Sequence, residues 1–438
     1  MWMFVAWAAV VAAAPKKLPL VIFQPMSGGW AGGIAMSEAM RHTLLLINAN
    51  PDILPDYEAE VLFTNSECSP DVAMSTVLDL FFNGNLPSLA FNTLPNGDLD
   101  LFTWDVETID VGNMGASQYV AILGSGCSGT TMEISKVVAK ARKPQVSAGS
   151  TSPALTDRVK FPFFWRAPQP DTNSLHAMTQ IAGTMADEVT LWSTPSSDGW
   201  TASILETLLM SDLTVTGGLP FPEESGLCTS YCADAVSTAC KNCRGNYLYD
   251  YMFEGDGYTE AKNLAGGFKR NPSRLNFFSV NGDAMSVTLC ALKMAGVYGV
   301  VPFSLAWASP TPRHLESLNT ECTFDDIKTE MRGGIGVGGV NQRVDAGKEH
   351  GCLPGVDPVD LNAEIMAHTK KQDANGNYPP DRDYIGPGSD SICIYMKAFH
   401  RLIYEHNLEY SELFDMDEWT FLKMQDKLGQ TDMEGITG

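Results

Sequence analysis

Apolar residues recur along the chain in short blocks that alternate between two periodicities. Residues 18–23 form a continuous apolar run with Pro19 near its start, which is typical of a buried parallel strand. Residues 34–47 follow with Met36, Met40, Leu44 and Ile47 on one helical face. The alternation continues with predicted strands at 58–63, 119–123 and 145–147, and predicted helices at 72–82 and 130–141. Repeated strand–helix–strand units predict a parallel sheet covered by helices on both faces.

A second series of the same kind begins after Phe164. It has predicted strands at 188–193, 213–216, 275–280 and 300–307, and predicted helices at 202–210, 259–268 and 284–293. The fold class is therefore α/β with two lobes. We assign 17–165 to the first lobe, 166–310 to the second, and 311–438 to crossover segments and lobe completion. Residues 378–388 predict a surface loop, followed by a helix from 390 to about 406.

Two apolar segments bear on cellular location. Residues 1–14 are apolar, too short to span a bilayer and end in three alanines, which indicates a secretory signal peptide; a buried strand is the alternative. Residues 287–308 contain Gly296, Gly299 and Pro302, so a helix followed by a buried strand explains them better than a membrane span. We predict a chain that enters the secretory pathway.

The chain contains ten cysteines. Because the secretory pathway is an oxidising environment, we expect most of them to form disulfides. Four of them lie in an insertion at about 225–245: Cys228, Cys232, Cys240 and Cys243. Their spacing is compatible with zinc, but two local disulfides fit a secreted chain better.

The net charge of the chain argues against polyanionic partners. The 438 residues include 29 Lys or Arg and 52 Asp or Glu, for a net charge of −23. Binding to nucleic acid or to an anionic membrane needs clustered basic residues, so neither is expected.

Small hydroxyl residues cluster where two predicted strands end, in GSGCSGT at 124–130 and SAGSTSPAL at 147–155. Ligands of open α/β sheets bind at this edge. Ser128 lies near a helix start, where backbone N–H groups and the helix dipole favour an anion. Gly149, Ser150 and Thr151 would add donors, predicting a carboxylate site. An N-cap serine and ordinary turn residues are the alternative reading.

The sequence contains no motif in the context that an enzyme or cofactor site requires. The segment around Ser128 lacks the G-x-S-x-G spacing. Gly334, Gly336 and Gly339 form a G-x-G-x-x-G frame, but a charged stretch precedes it, so 333–339 predicts a flexible loop. His400 and His406 do not share a helical face. We predict no metal site, no cofactor and no enzymatic activity.

Several motifs resemble one receptor family: MSGGWAGG at 26–33, DILPDY at 52–57, GSGCSGT at 124–130, SPAL at 152–155, FFWR at 163–166, CTFDD at 322–326 and MEGITG at 433–438. The resemblance is to the ligand-binding ectodomain of metabotropic GABA-B receptors, which belong to the class C receptors. It implies a two-lobe clamshell similar to type I periplasmic binding proteins.

The resemblance also implies roles for particular residues. Ser128 and Thr151 would hold the ligand carboxylate, and Trp30 and Trp307 would pack on the ligand from opposite lobes. Positions expected to face the ligand amine differ from the family, with Pro168, Asn281 and Tyr384 in their place. Disulfides Cys68–Cys127 and Cys290–Cys322 are implied, while Cys352 and Cys393 are left open.

Together these points predict the extracellular, ligand-binding region of a GABA-B-like receptor. It would bind an amino-acid-like or carboxylate ligand between its lobes, signal by lobe closure, and dimerise with a related subunit. A soluble binding protein for amino-acid transport and the sensor of a receptor guanylate cyclase are the alternatives. Because the family continues into a further strand and membrane spans, we expect this sequence to be part of a longer receptor.

Overall fold

The computed structural model describes residues 14–28, 30–83, 85–93, 99–110, 119–193, 204, 207–208, 210–215, 261–262, 265, 274–280, 282–310, 320–338, 343–369, 382–431, 433 and 435–437. The chain divides into two compact units. Unit 1 comprises 1–151, 157–168 and 340–438, and unit 2 comprises 152–156 and 169–339. The predictions for the signal peptide, the four cysteines of the insertion and Asn281 lie outside the described residues.

Strands and helices alternate over much of the described part of the chain. The strands are β1 Lys16–Gln24, β2 Tyr57–Asn65, β3 Asn85–Thr93, β4 Leu99–Asp110, β5 Ala121–Gly124, β6 Gln145–Ser147, β7 Phe164–Arg166, β8 Glu188–Ser193, β9 Thr214–Val215, β10 Leu275–Ser279, β11 Val301–Leu305 and β12 Ile335–Val337. The longer helices are α1 Gly33–Asn48, α2 Pro70–Leu78, α3 Ser128–Lys140, α4 Asp171–Gly183, α5 Gly282–Met294, α6 Phe324–Glu330, α7 Pro358–His368, α8 Ile385–His400 and α9 Glu418–Gly429.

Unit 1 is built on a parallel sheet of order β2-β1-β5-β6-β7. Its strand β1 is buried on both faces. Leu20 and Ile22 pack into a core with residues of α1 and α8, whereas Val21 and Phe23 pack into a second core with residues of α2 and α3. This explains the continuous apolar run in the sequence. Strands β3 and β4 form a separate antiparallel pair.

Helices α1 and α8 meet closely on one face of this sheet. A Cβ added at Gly388 would lie 2.9 Å from the carbonyl oxygen of Met36, so a larger residue would push the helices apart. Beside this point, the hydroxyl oxygens of Thr43 and Ser389 lie 2.7 Å apart in the buried interface. The contact fixes α1, which directly follows the loop containing Trp30.

Unit 2 contains a second parallel sheet, of order β12-β11-β10-β8-β9. Aromatic rings fill the space on both faces. Trp192 and Phe278 stack on one face with ring centroids 6.2 Å apart, and Phe277 and Phe303 stack on the other at 5.2 Å. The predicted α/β class with two helix-flanked parallel sheets is therefore confirmed. None of the helices among the described residues combines the length and apolar character needed to cross a membrane.

Three sequence predictions of local structure are wrong. The segment 333–339 is not simply a flexible loop, because β12 lies within it and pairs in parallel with β11. The predicted loop 378–388 instead contains a short 3-10 turn and the start of α8 at Ile385; Pro387 is tolerated there because first-turn N–H groups need no partner within the helix. The strand predicted over 300–307 ends at Leu305 and continues as the 3-10 turn Ala306–Ala308.

Disulfides reinforce both units. The predicted pairs Cys68–Cys127 and Cys290–Cys322 are confirmed, with Cα–Cα distances of 5.5 and 5.8 Å. A third disulfide, Cys352–Cys393, settles the two cysteines that the sequence left open and has a Cα–Cα distance of 5.8 Å.

The buried carboxylate of Asp390 on α8 holds the last described residues of unit 1. It accepts hydrogen bonds from the backbone N–H groups of Ile436 and Thr437 at 2.8 and 2.9 Å, and from the Thr437 hydroxyl at 2.6 Å. A buried carboxylate needs such donors because burial otherwise disfavours its charge. The segment is thus anchored to the core of the unit.

Candidate functional site

The loops that follow the parallel strands of unit 1 lie at one edge of its sheet, which we call the carboxyl edge. It comprises the loop after β1 at 25–32, the loop after β2 at 66–69, the loop after β5 at 125–127 and the loop after β6 at 148–152. Ligands of α/β sheets bind at this kind of edge. Trp30, Ser128, Gly149, Ser150 and Thr151, predicted as ligand-binding residues, all lie in these loops or at the helix start that follows.

Asn65, the last residue of β2, organises the loop after β1. Its side-chain oxygen accepts hydrogen bonds from the backbone N–H groups of Met26 and Glu67 at 2.9 and 3.0 Å. Its amide nitrogen donates to the Ser27 hydroxyl at 2.7 Å. One amide side chain therefore joins the loops after β1 and β2. Asn65 was not predicted from the sequence, because its partners Met26 and Ser27 lie 39 and 38 positions away and no local pattern marks these contacts.

A buried hydroxyl network joins the loops after β5 and β6. The carbonyl oxygen of Ser125 accepts from the hydroxyls of Ser147, Ser150 and Thr131 at 2.5, 2.9 and 3.1 Å. The hydroxyl oxygens of Ser150 and Thr131 also lie 2.8 Å apart. Buried polar groups with several partners each hold a single geometry, so these two loops are fixed relative to one another.

Glycine is required where the loops approach most closely. A Cβ added at Gly149 would lie 2.6 Å from the carbonyl oxygen of Gly126. Gly28 has a φ of +84°, and an added Cβ there would overlap the carbonyl oxygen of Glu67. Both positions join loops of different strands, which accounts for the glycines in the two motifs.

Ser128 is the first residue of α3 and is buried. Cys127 precedes it in an extended conformation, with no side-chain hydrogen bond capping the helix, and its disulfide to Cys68 fixes this helix start to the loop after β2. The first turn of a helix presents backbone N–H groups and the positive end of the dipole. A carboxylate at this point would be stabilised by both.

The loop after β6 turns back on itself around the Ser147 hydroxyl, which accepts from the backbone N–H groups of Gly149 and Ser150 at 3.2 and 2.9 Å. The Ser150 side chain is fully buried in the network described above. Gly149 and Ser150 therefore define the shape of the loop. Their backbone N–H groups and the Ser150 hydroxyl already donate hydrogen bonds within the protein. Thr151, which follows, is only partly buried. Contact of any of these residues with a ligand stays a prediction.

Arg166 brings a positive charge to this loop. At the end of β7, its guanidinium donates to the carbonyl oxygen of Ser150 at 3.3 Å, and the side chain is partly exposed. This arginine belongs to the FFWR motif, and no role for it was predicted from the sequence. The sequence signal that could have identified Arg166 is a cation directly after a short aromatic run. Such runs form strands, and the ends of the parallel strands line the carboxyl edge.

Trp30 contacts Tyr384 edge to face, with ring centroids 5.2 Å apart. Tyr384 is buried and occupies one of the positions at which the sequence departs from the resembled family. Two residues separated by more than 350 positions are thereby brought together in unit 1. Trp307 lies in unit 2, within the turn Ala306–Ala308, and its side chain is outside the described part of the chain.

Comparison with known proteins agrees with this architecture. Residues 35–185 match the family model for the receptor family ligand binding region. The gamma-aminobutyric acid type B receptor subunit 1 of Mus musculus is 29% identical over 157 residues, and that of Caenorhabditis elegans is 30% identical over 169 residues. Metabotropic glutamate receptor 6 of Rattus norvegicus is 28% identical over 154 residues.

These alignments cover 36%, 38% and 34% of this chain, and 13%, 15% and 16% of the respective relatives. The chain thus contains a receptor-type ligand-binding domain with homologues among the GABA-B and metabotropic glutamate receptors, which are class C receptors. The resemblance predicted from the motifs is confirmed. The relatives are receptors and not enzymes.

Proposed function

We propose that this chain is the extracellular ligand-binding region of a GABA-B-like class C receptor and binds an amino-acid-like or carboxylate ligand. Ser128 and Thr151 hold the carboxylate at the carboxyl edge of unit 1, Gly149 and Ser150 shape the loop beside it, and Trp30 packs on the apolar part of the ligand. The observation that carries the proposal is the rigid pairing of the α3 start with the loop after β6 through the Ser125 carbonyl.

Electrostatics favours an anionic group at this place. The dipole of α3 and the guanidinium of Arg166 both contribute positive potential near the Ser128–Thr151 region. The whole chain carries a net charge of −23, which repels free anions at long range. A zwitterionic amino acid has no net charge and still presents a carboxylate, so we expect zwitterions to bind better than dicarboxylates.

Signalling requires a change of state, which we assign to closure of unit 2 over the bound ligand. A ligand shifts the equilibrium towards a closed form only if it contacts that form more favourably than the open one. Trp307 of unit 2 is the residue proposed to make this additional contact. The receptor would act as a dimer with a related subunit and would be held to the membrane by a domain outside this sequence.

The carboxylate assignment is tested by a melting-temperature screen of amino acids and small carboxylates, followed by calorimetry on the best ligand. A ligand that binds only the folded state raises the melting temperature. We expect Ser128→Ala and Thr151→Val each to raise Kd by about 10-fold or more, the equivalent of about 1.4 kcal/mol.

Ser135→Ala is the matched control, since Ser135 is a buried serine two turns further along α3 whose hydroxyl donates to the Thr131 carbonyl. Equal affinity of the Ser128→Ala variant and the parent would contradict the carboxylate assignment. Closure is measured separately as a ligand-dependent decrease of the radius of gyration in solution scattering. An unchanged radius at saturating ligand would refute closure alone.

A further inference from the structure

Three side chains with metal-binding groups meet between α1 and α7 of unit 1. His42 lies on α1, and Glu364 and His368 lie on α7. His42 Nε2 and Glu364 Oε1 are 2.9 Å apart, and the rings of His42 and His368 have centroids 4.8 Å apart. One potential ligand atom from each residue lies within 4.8 Å of the other two.

The chemistry of this set matches zinc. Two neutral imidazoles and one carboxylate are borderline ligands of the kind that zinc prefers, whereas calcium and magnesium prefer oxygen ligands alone. Zinc bonds of about 2.0–2.1 Å in a tetrahedron place the ligand atoms about 3.3 Å apart. The observed separations are close enough for small side-chain rotations to reach that geometry. Glu364 is free to make such a rotation because its side chain is 52% exposed.

The backbone beneath the three residues is rigid. Thr43, next to His42, contacts Ser389 in the buried interface with α8. On α7, Leu361 and Ile365 are fully buried, and the Asp357 side chain caps the helix start by accepting from the Val359 N–H at 2.8 Å. Glu364 and His368 are four residues apart and so share one helical face. Ligands on rigid elements bind a metal with little loss of conformational entropy.

We propose that His42, Glu364 and His368 form a zinc site that fastens α1 to α7 and leaves a fourth coordination position to water or an external ligand. An ordinary His–Glu ion pair would account for the 2.9 Å contact but not for the second imidazole beside it. The spacing of histidines along the chain predicted no metal site, because His42 and Glu364 are 322 positions apart. The proposal does not depend on the amino-acid ligand.

The test is a calorimetric titration of the purified chain with zinc chloride near pH 7.5 in a buffer without chelators. We expect one zinc ion per chain, a melting temperature that rises with zinc concentration, and no comparable effect of calcium or magnesium. His42→Ala, His368→Ala and Glu364→Gln should each weaken zinc binding by about 10-fold or more. Glu364 is exposed, so its variant is expected to fold even if a histidine variant does not.

His176→Ala is the control, because His176 is an exposed histidine on α4 of unit 2. Zinc affinity unchanged in the Glu364→Gln and His368→Ala variants would overturn the proposal. Equal weakening in the His176→Ala variant, or equal stabilisation by magnesium, would overturn it as well. Amino-acid binding by the zinc-free chain is measured in parallel and reports on the proposed function alone.

Discussion

Gly126 and Gly149 lie so close together that one methyl group would not fit between their loops: a Cβ on Gly149 would be 2.6 Å from the Gly126 carbonyl oxygen. We expect Gly149→Ala to displace the loop after β6, lowering the free energy of unfolding by about 1–3 kcal/mol and weakening amino-acid binding. Denaturant unfolding and calorimetry measure the two effects. Gly183→Ala is the control, since nothing lies within 4 Å of its added Cβ, and it should be neutral or slightly stabilising. Equal stability of the Gly149→Ala variant and the parent would refute the close approach.

Arg166 provides a prediction about ligand affinity. If its charge attracts the ligand carboxylate, Arg166→Met should raise Kd by about 10-fold, while Arg166→Lys should retain part of the attraction. Binding to the parent should weaken with added salt more steeply than binding to the Met variant, because salt screens the charge that the variant lacks. Arg332→Met, at an exposed position of unit 2, serves as the control. An affinity insensitive to Arg166→Met would exclude an electrostatic role.

The buried Lys143 makes the free energy of unfolding depend on pH in the alkaline range. Its side chain is 2% exposed and its Nζ donates to the Phe414 carbonyl at 2.5 Å, and burial lowers its pKa from 10.5 to about 8. The unfolded chain then binds more protons than the folded chain between pH 8 and 10.5, so stability rises with pH across that window. The cost of burying the charge is fully present below pH 8 and amounts to about 3 kcal/mol.

We expect Lys143→Met to increase the free energy of unfolding at pH 7 by about 1–3 kcal/mol, since the gain is reduced by the lost hydrogen bond. The variant should also lose the rise in stability between pH 8 and 9.5, measured by denaturant unfolding at several pH values. Lys140→Met, at an exposed position of α3, should retain the rise. A parent with flat stability over this range would contradict the prediction.

Asp326 should contribute to stability in mild acid. Its pKa is lowered to about 2, chiefly by the hydrogen bond from Lys293 and also by hydrogen bonds from the backbone and side chain of Thr323. Because the pKa is depressed in the folded chain, the contribution is present above the unfolded value of 3.8 and is lost as pH falls towards 2. Asp326→Asn should remove this part of the acid sensitivity in melting curves between pH 4 and 2. Asp325→Asn, one residue earlier, should leave it unchanged.

Local periodicity was sufficient to predict most strands of the two parallel sheets, but it did not predict β7 or β12. β1 is an apolar run because both its faces are buried, β10 places Phe277 and Phe278 in cores on opposite faces, and α3 carries its apolar residues on one side. β12 escaped prediction because its two glycine neighbours carry no strand signal, and the strand exists through its pairing with β11. The start of α8 was placed too late because Gly388, which normally weakens a helix, is required there by the approach of α1.

The candidate site was predictable only in part, for a similar physical reason. Ser128 could be located because a strand end followed by a helix start is visible in the sequence. The roles of Asn65 and Arg166 depend on hydrogen bonds to backbone groups of other loops, which no side-chain pattern encodes. The meeting of Trp30 with Tyr384 depends on how α8 packs against α1, which only the folded chain reveals.

The anchoring of Ile436 and Thr437 by Asp390 has a practical consequence for recombinant work on the ligand-binding region. A fragment that ends before residue 436 would remove three hydrogen-bond donors from the buried carboxylate of Asp390. We expect such a fragment to have a lower free energy of unfolding, with or without a ligand. Fragments designed for binding studies or crystallisation should therefore extend at least through residue 437.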